Sequence, residues 1–94
     1  RDYPLAQIQL LSVLPVNEQE QYKGTVYIRT NEKIQALNRA YQDLASIYTN
    51  VHFIDLYDNF LDESGQLRED FTTDGLHLTI AGYATLSKAL HPYL

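Results

Sequence analysis

The sequence predicts an α/β fold built on a parallel sheet, and three observations carry that expectation. Residues 5–16 and 51–56 are two apolar runs rich in strand-forming side chains. Between them Ile34, Leu37, Tyr41, Leu44 and Tyr48 recur at intervals of three and four, the period of one helix face. Neither run has a hairpin partner in sequence, so the order reads strand, crossover helix, strand, the βαβ unit.

The first run begins with partial alternation and becomes continuously apolar, as in a strand covered on both faces of a parallel sheet. Pro15 ends it, because proline offers no donor to the ladder. Ser12 lies inside this strand without a glycine turn beside it, which favours a structural hydroxyl over a nucleophile. Residues 17–29 are polar around Lys23-Gly24 and then gain Val26, Tyr27 and Ile28. Loops leaving the carboxyl ends of parallel strands line ligand crevices. A solvated connection with a short extended piece packing Tyr27 or Ile28 is nevertheless the favoured reading of this segment.

Thr30 or Asn31 caps the main helix, and Glu32 sits in its first turn near the positive end of the dipole. Asn38 interrupts the border of the apolar stripe and reads as a structural amide bonding a neighbouring loop. The second strand follows Thr49-Asn50, with His52 as an edge side chain and Asp55 as a carboxylate bonding the amides of the next loop. Ser64-Gly65 marks a turn; its setting among acids argues against a nucleophile. A last helix starts near Ile80, with Ile80, Tyr83, Leu86 and Leu90 on one face, Gly82 allowing close approach to the sheet, and Pro92 just beyond its end.

Composition removes several function classes. The 94 residues are 45% apolar and 20% charged, ordinary for one small globular unit. A formal charge of −5 lacks the basic footprint of a nucleic-acid binder. No apolar run is long enough for a membrane span, and Arg1-Asp2-Tyr3-Pro4 does not read as a signal peptide. Without cysteine there is no disulfide framework and no thiolate zinc site, and the three histidines, His52, His77 and His91, have no paired-ligand spacing, so no metal site is expected. Compartment stays open, with the cytoplasm slightly favoured.

The chemistry concentrates in Thr73-Asp74-Gly75-Leu76-His77-Leu78-Thr79-Ile80-Ala81-Gly82-Tyr83. Across so short a turn the Asp74 carboxylate reaches His77 Nδ1, fixes the tautomer that leaves Nε2 as acceptor, and stabilises the imidazolium formed when Nε2 takes a proton. Gly75 removes the Cβ that would obstruct a turn with positive φ. Thr79 is placed to cap the following helix. Asp74 and His77 are therefore candidate acid and base, and the nucleophile is what this chain lacks.

Asp-Gly-Leu-His-Leu-Thr-x-x-Gly-Tyr resembles the last block of the SGNH, or GDSL-type, serine hydrolases, most closely the acylhydrolases similar to platelet-activating-factor acetylhydrolase. The strand ending in Pro, the long helix opening at Thr-Asn-Glu, the strand Val-x-Phe-Ile-Asp-Leu and the Gly-x-Leu turn occur in the same order. The resemblance implies a doubly wound, flavodoxin-like parallel sheet, with residues 1–94 as the carboxyl-terminal portion of a single domain contributing two strands and two main helices. It implies an esterase that cleaves small carboxylic esters through a Ser-His-Asp triad without a cofactor, with Asp74 and His77 as two of its members. The Gly-Asp-Ser block, the oxyanion-hole Gly and the Gly-x-Asn-Asp block are expected in an amino-terminal half of the same domain, so the chain alone is expected to be inactive. The alternative is a non-catalytic interaction module. The unpaired apolar strand through Ile8 and Leu14 (residues 8–14) predicts self-association in either case.

Overall fold

The computed structural model describes residues 6–93. Two strands, β1 (Ile8–Leu11) and β2 (Val51–Ile54), pair in parallel with Ile8 opposite Val51 and Leu11 opposite Ile54. Helix α2 (Asn31–Ile47) is the crossover between them, a short helix α1 (Lys23–Val26) precedes it, and α3 (Ile80–Leu90) follows the second strand. The α/β class and parallel pairing are as expected, with α1 as a third helix beyond the two main ones.

β1 is shorter than the 5–16 run; Leu5 lies outside the described residues, and at the other end the ladder stops after Leu11. The cause is that peptide groups beyond it are taken by side chains. Asn38 accepts from Val13 N at 2.7 Å and donates to Val13 O at 2.9 Å. Asn31 treats the Val16 peptide in the same way, at 2.8 Å in each direction. β2 also ends early, at Ile54, and the next free amide, Leu56 N, donates to the Ser12 hydroxyl at 2.9 Å. Nor is β1 covered on both faces by the described residues, since Ile8 and Leu11 are exposed.

These asparagines also correct the face of α2. Its packed positions are Asn31, Asn38 and Ala45, each a multiple of seven apart and so nearly in line, while Leu37, Leu44 and Tyr48 of the expected stripe are exposed. Thr30 is the cap, accepting from Lys33 N at 3.2 Å. Residues 17–29 differ as well: a 3₁₀ turn at Glu20–Tyr22 leads into α1, Val26 is the buried side chain, and Tyr27 and Ile28 stand outside. Helical bonding turns the segment so that only Val26 of its three large apolar residues points inward.

The buried core is Ile54, Leu56, Phe60, Leu67 and Phe71, with Leu14, Leu78, Leu86, Ala89 and Leu90 packed against it. Phe60 and Phe71 meet edge to face at 5.6 Å between centroids, a favourable aromatic arrangement. Arg68 lies 4.3 Å over the Phe71 ring while its fork holds Asp70. α3 therefore packs through Gly82, Leu86, Ala89 and Leu90, and not through Ile80 and Tyr83, which are exposed. Gly82 meets the Phe71 carbonyl and Leu78, with a hypothetical Cβ only 2.9 Å from that oxygen; the close approach is to this connection and not to the sheet.

Candidate active site

The loop from Thr72 to Thr79 is held at both ends before it reaches α3. Thr72 and Leu78 form an antiparallel bridge, and Thr79 N donates to Phe71 O at 2.8 Å. Thr79 Oγ1 donates to Asp70 O and accepts from Gly82 N, so one hydroxyl both ties the loop and caps the helix, as its position predicts. At the turn, Gly75 has φ of +85°, and a Cβ there would stand 2.5 Å from Tyr22 Cβ and 3.0 Å from the Asn17 carbonyl. Glycine is required twice, for its conformation and for the space.

Within this frame Asp74 is the centre of a dense set of bonds. Its Oδ2 lies 2.6 Å from His77 Nδ1, while Oδ1 accepts from His77 N at 2.8 Å, Leu76 N at 2.9 Å and Thr72 Oγ1 at 3.3 Å. The His77 ring first, then the backbone amides of His77 and Leu76, hold the Asp74 carboxyl well below the usual carboxylate range. An ionised carboxylate only accepts, so Nδ1 carries the proton between the two residues, and in the neutral ring Nε2 is the acceptor. The His77 side chain is 74% exposed, and Nε2 has no partner among the described residues. Asp74 and His77 are thus brought together as the spacing predicts, with the basic nitrogen presented outward.

The other residues weighed in the sequence do not join them. Ser12 is buried under β2 as an acceptor for Leu56 N. Ser64 sits in a turn whose amides, its own and that of Gln66, bond Asp62 Oδ1. Asp55 accepts from Tyr57 N at 3.1 Å, His52 Nε2 lies 2.7 Å from Gln7 Oε1, and Asn38 holds the Val13 peptide.

Three positioning residues were not visible in sequence. Asn17, fully buried, donates through its backbone N to Gly75 O at 2.8 Å and through Nδ2 to Leu67 O at 2.9 Å, while Oδ1 takes Gln19 N. Thr72 Oγ1 accepts from Gly75 N as it donates to Asp74. Tyr22 covers the bare Cα of Gly75. A Thr two residues before the acid is a local signal for the second; contacts over 50 residues leave none for the first and third.

No curated protein sequence matches the chain. A Streptococcus pneumonia structure, provisionally described as a platelet activating factor, is 60% identical with a TM-score of 0.93, covering 98% of this chain and 43% of that one. A GDSL-like lipase from Bacteroides thetaiotaomicron is 26% identical with a TM-score of 0.71, covering 93% of this chain and 42% of the other. A Bacteroides fragilis protein provisionally described as an acylhydrolase shares the fold, at 23% identity and a TM-score of 0.71. The chain spans less than half the length of each of these structures. Residues 2–85 match the family model, and the chain belongs to the GDSL-like lipase/acylhydrolase family.

Proposed function

We propose that these residues contribute the acid and base of a serine acylhydrolase that cleaves carboxylic esters, and that the nucleophilic serine and oxyanion donors lie in polypeptide outside the 94. The single observation behind this reading is the His77 ring, tied to Asp74 at 2.6 Å and yet open at Nε2. The carboxylate orients the ring through one nitrogen and leaves the other available to a reactant.

In the proposed reaction the serine hydroxyl attacks the ester carbonyl as His77 Nε2 takes its proton, and Asp74 stabilises the resulting imidazolium without accepting that proton. Collapse of the tetrahedral intermediate breaks the bond to the alcohol, which leaves with the proton from Nε2. Water then repeats the sequence on the acyl-serine and releases the carboxylic acid. The low proton affinity of Asp74 suits this cycle, because the acid stays charged at every step.

The test is fluorophosphonate labelling and p-nitrophenyl acetate hydrolysis. The chain alone is expected to show background rates. Joined to the part of the Streptococcus pneumonia relative that lies outside the match, it is expected to label on a serine of that part and to turn over, with turnover lost in His77→Ala. Enzyme-like hydrolysis by the chain alone sinks the proposal. A joined protein that folds but neither labels nor turns over leaves Asp74 and His77 as a structural pair, and the interaction-module reading based on the open β1 edge takes its place.

A further inference from the structure

We propose that Arg29 is a specificity residue that reads an anionic terminus on the substrate, so that the esters cleaved here carry an aliphatic arm ending in a carboxylate. This inference rests on the catalytic reading above and names the substrate class for it.

The place is a groove of about 340 Å³ at the carboxyl end of β1, within the size range of small-molecule sites. Its walls are Val13, Leu14, Val16, Ile34 and Leu76, with Arg29 as the charged member. Leu76 joins the groove to the candidate chemistry: it immediately precedes His77, and its amide is bonded to Asp74. On the other side of Arg29 a smaller apolar groove contains Ile28, Lys33 and Leu37. No carboxylate lines either groove, although the chain as a whole carries a charge of −5.

The guanidinium is anchored but not neutralised. Nη1 donates to the Thr25 and Val26 carbonyls at 3.2 and 3.4 Å, at the end of α1. The ion pairs among the described residues are Lys23–Glu20, Arg68–Asp70 and His77–Asp74, so Arg29 has no acid at contact distance. Nη2 and Nε keep their donors without partners among those residues, and a planar fork of this kind matches a carboxylate.

The loop that presents Arg29 is also strained. Tyr27 has φ of +55° and ψ of −114°, a conformation that glycine adopts readily and tyrosine does not. It stands 77% exposed, and Ile28 beside it 66% exposed. Together the strained turn, the apolar groove and the unpaired cation place an aliphatic arm and its charged end beside the loop that holds His77.

The experiment compares monoethyl adipate and monoethyl suberate with ethyl hexanoate and ethyl octanoate, by proton release, in the complete enzyme that carries these residues. The anionic esters are expected to lead in kcat/KM by about tenfold to a hundredfold, the usual worth of a charged hydrogen bond. Arg29→Gln is expected to abolish that preference through KM, with a larger loss on the anionic than on the neutral esters, and Arg29→Lys to retain part of it. A preference ratio that survives Arg29→Gln overturns the proposal. So does an equal loss on charged and neutral esters, which is the signature of a structural arginine. Turnover that persists in His77→Ala overturns the catalytic reading, and this inference with it; an Arg29-independent ratio in an enzyme that needs His77 overturns this inference alone.

Discussion

Substituting Asn31 by alanine tests how the region before the site is held. Asn31 is buried, and its amide makes both bonds to the Val16 peptide, N and O, at 2.8 Å each. The two losses are unequal. Val16 O keeps a second donor, Leu67 N at 3.1 Å, so it loses one of two bonds at about 0.5–1.5 kcal/mol. Val16 N is left without a partner in a residue only 2% exposed, which costs about 1–3 kcal/mol. Alanine regains about 0.5 kcal/mol of helix propensity, leaving a net destabilisation of about 1–4 kcal/mol. In urea, followed by far-UV circular dichroism, this lowers the midpoint by about 0.5–2 M for an m-value of about 2 kcal/mol/M. Asn31→Asp keeps the acceptor for Val16 N but points a carboxylate at Val16 O, so its midpoint is expected to rise as the pH falls from neutral and a proton restores the donor. A shift in Asn31→Ala of less than about 0.3 M, or an Asn31→Asp protein as stable as the parent at neutral pH, refutes the reasoning.

The remaining predictions concern the loop itself. Asp74→Asn in the complete enzyme is expected to keep the fold and lower kcat by up to about 10⁴-fold, the scale seen when the acid of a serine-protease triad is amidated, with KM little changed in steady-state assays. Gly75→Ala is expected to lose about 1–3 kcal/mol to its positive φ alone, and Tyr22→Gly in the same chain, which removes both the Tyr22 Cβ at 2.5 Å and its Cγ at 2.7 Å, to restore only the part due to those contacts, as a double-mutant cycle in urea will read. Because folding lowers the proton affinity of Asp74, its contribution to stability is present above the unfolded carboxylate range near about pH 4 and is lost as the pH falls towards the lower folded value. The urea midpoints of the parent and Asp74→Ala are therefore expected to be apart at neutral pH and to converge below about pH 3.

What the sequence made legible and what it hid follow a physical division. The parallel pair, the crossover helix, the Thr79 cap and the Asp74–His77 contact all depend on neighbours within a few residues or on strong periodicity. The packed face of α2 does not follow hydrophobicity, because Asn31 and Asn38 are inside for their two-way bonds to backbone groups beyond the end of the ladder. The outward faces of α3 and of α2 depart from the pattern for a related reason: Ile80, Tyr83, Leu37 and Leu44 are apolar, but nothing within residues 6–93 covers them. An amphipathic pattern reports that a face will be buried without reporting by what.

That division bears on how the site is positioned. Asn31 at the start of α2 fixes the Val16 peptide, the next residue, Asn17, donates its own amide to Gly75 O, and Gly75 is the turn that sets Asp74 against His77. Four short bonds thus connect a helix terminus to the candidate base across three segments far apart in sequence. The links before Asp74 use backbone groups that cannot change identity by substitution, the first completed by the Asn31 amide, and the last is the Asp74–His77 side-chain pair itself. The exposed Nε2 of His77 consequently stands on a buried framework, although the ring itself meets little of the protein. A base that must accept and return a proton within one reaction needs this combination, an open nitrogen on a hydrogen-bonded support, and positioning of that kind contributes to rate through orientation as much as through proton affinity.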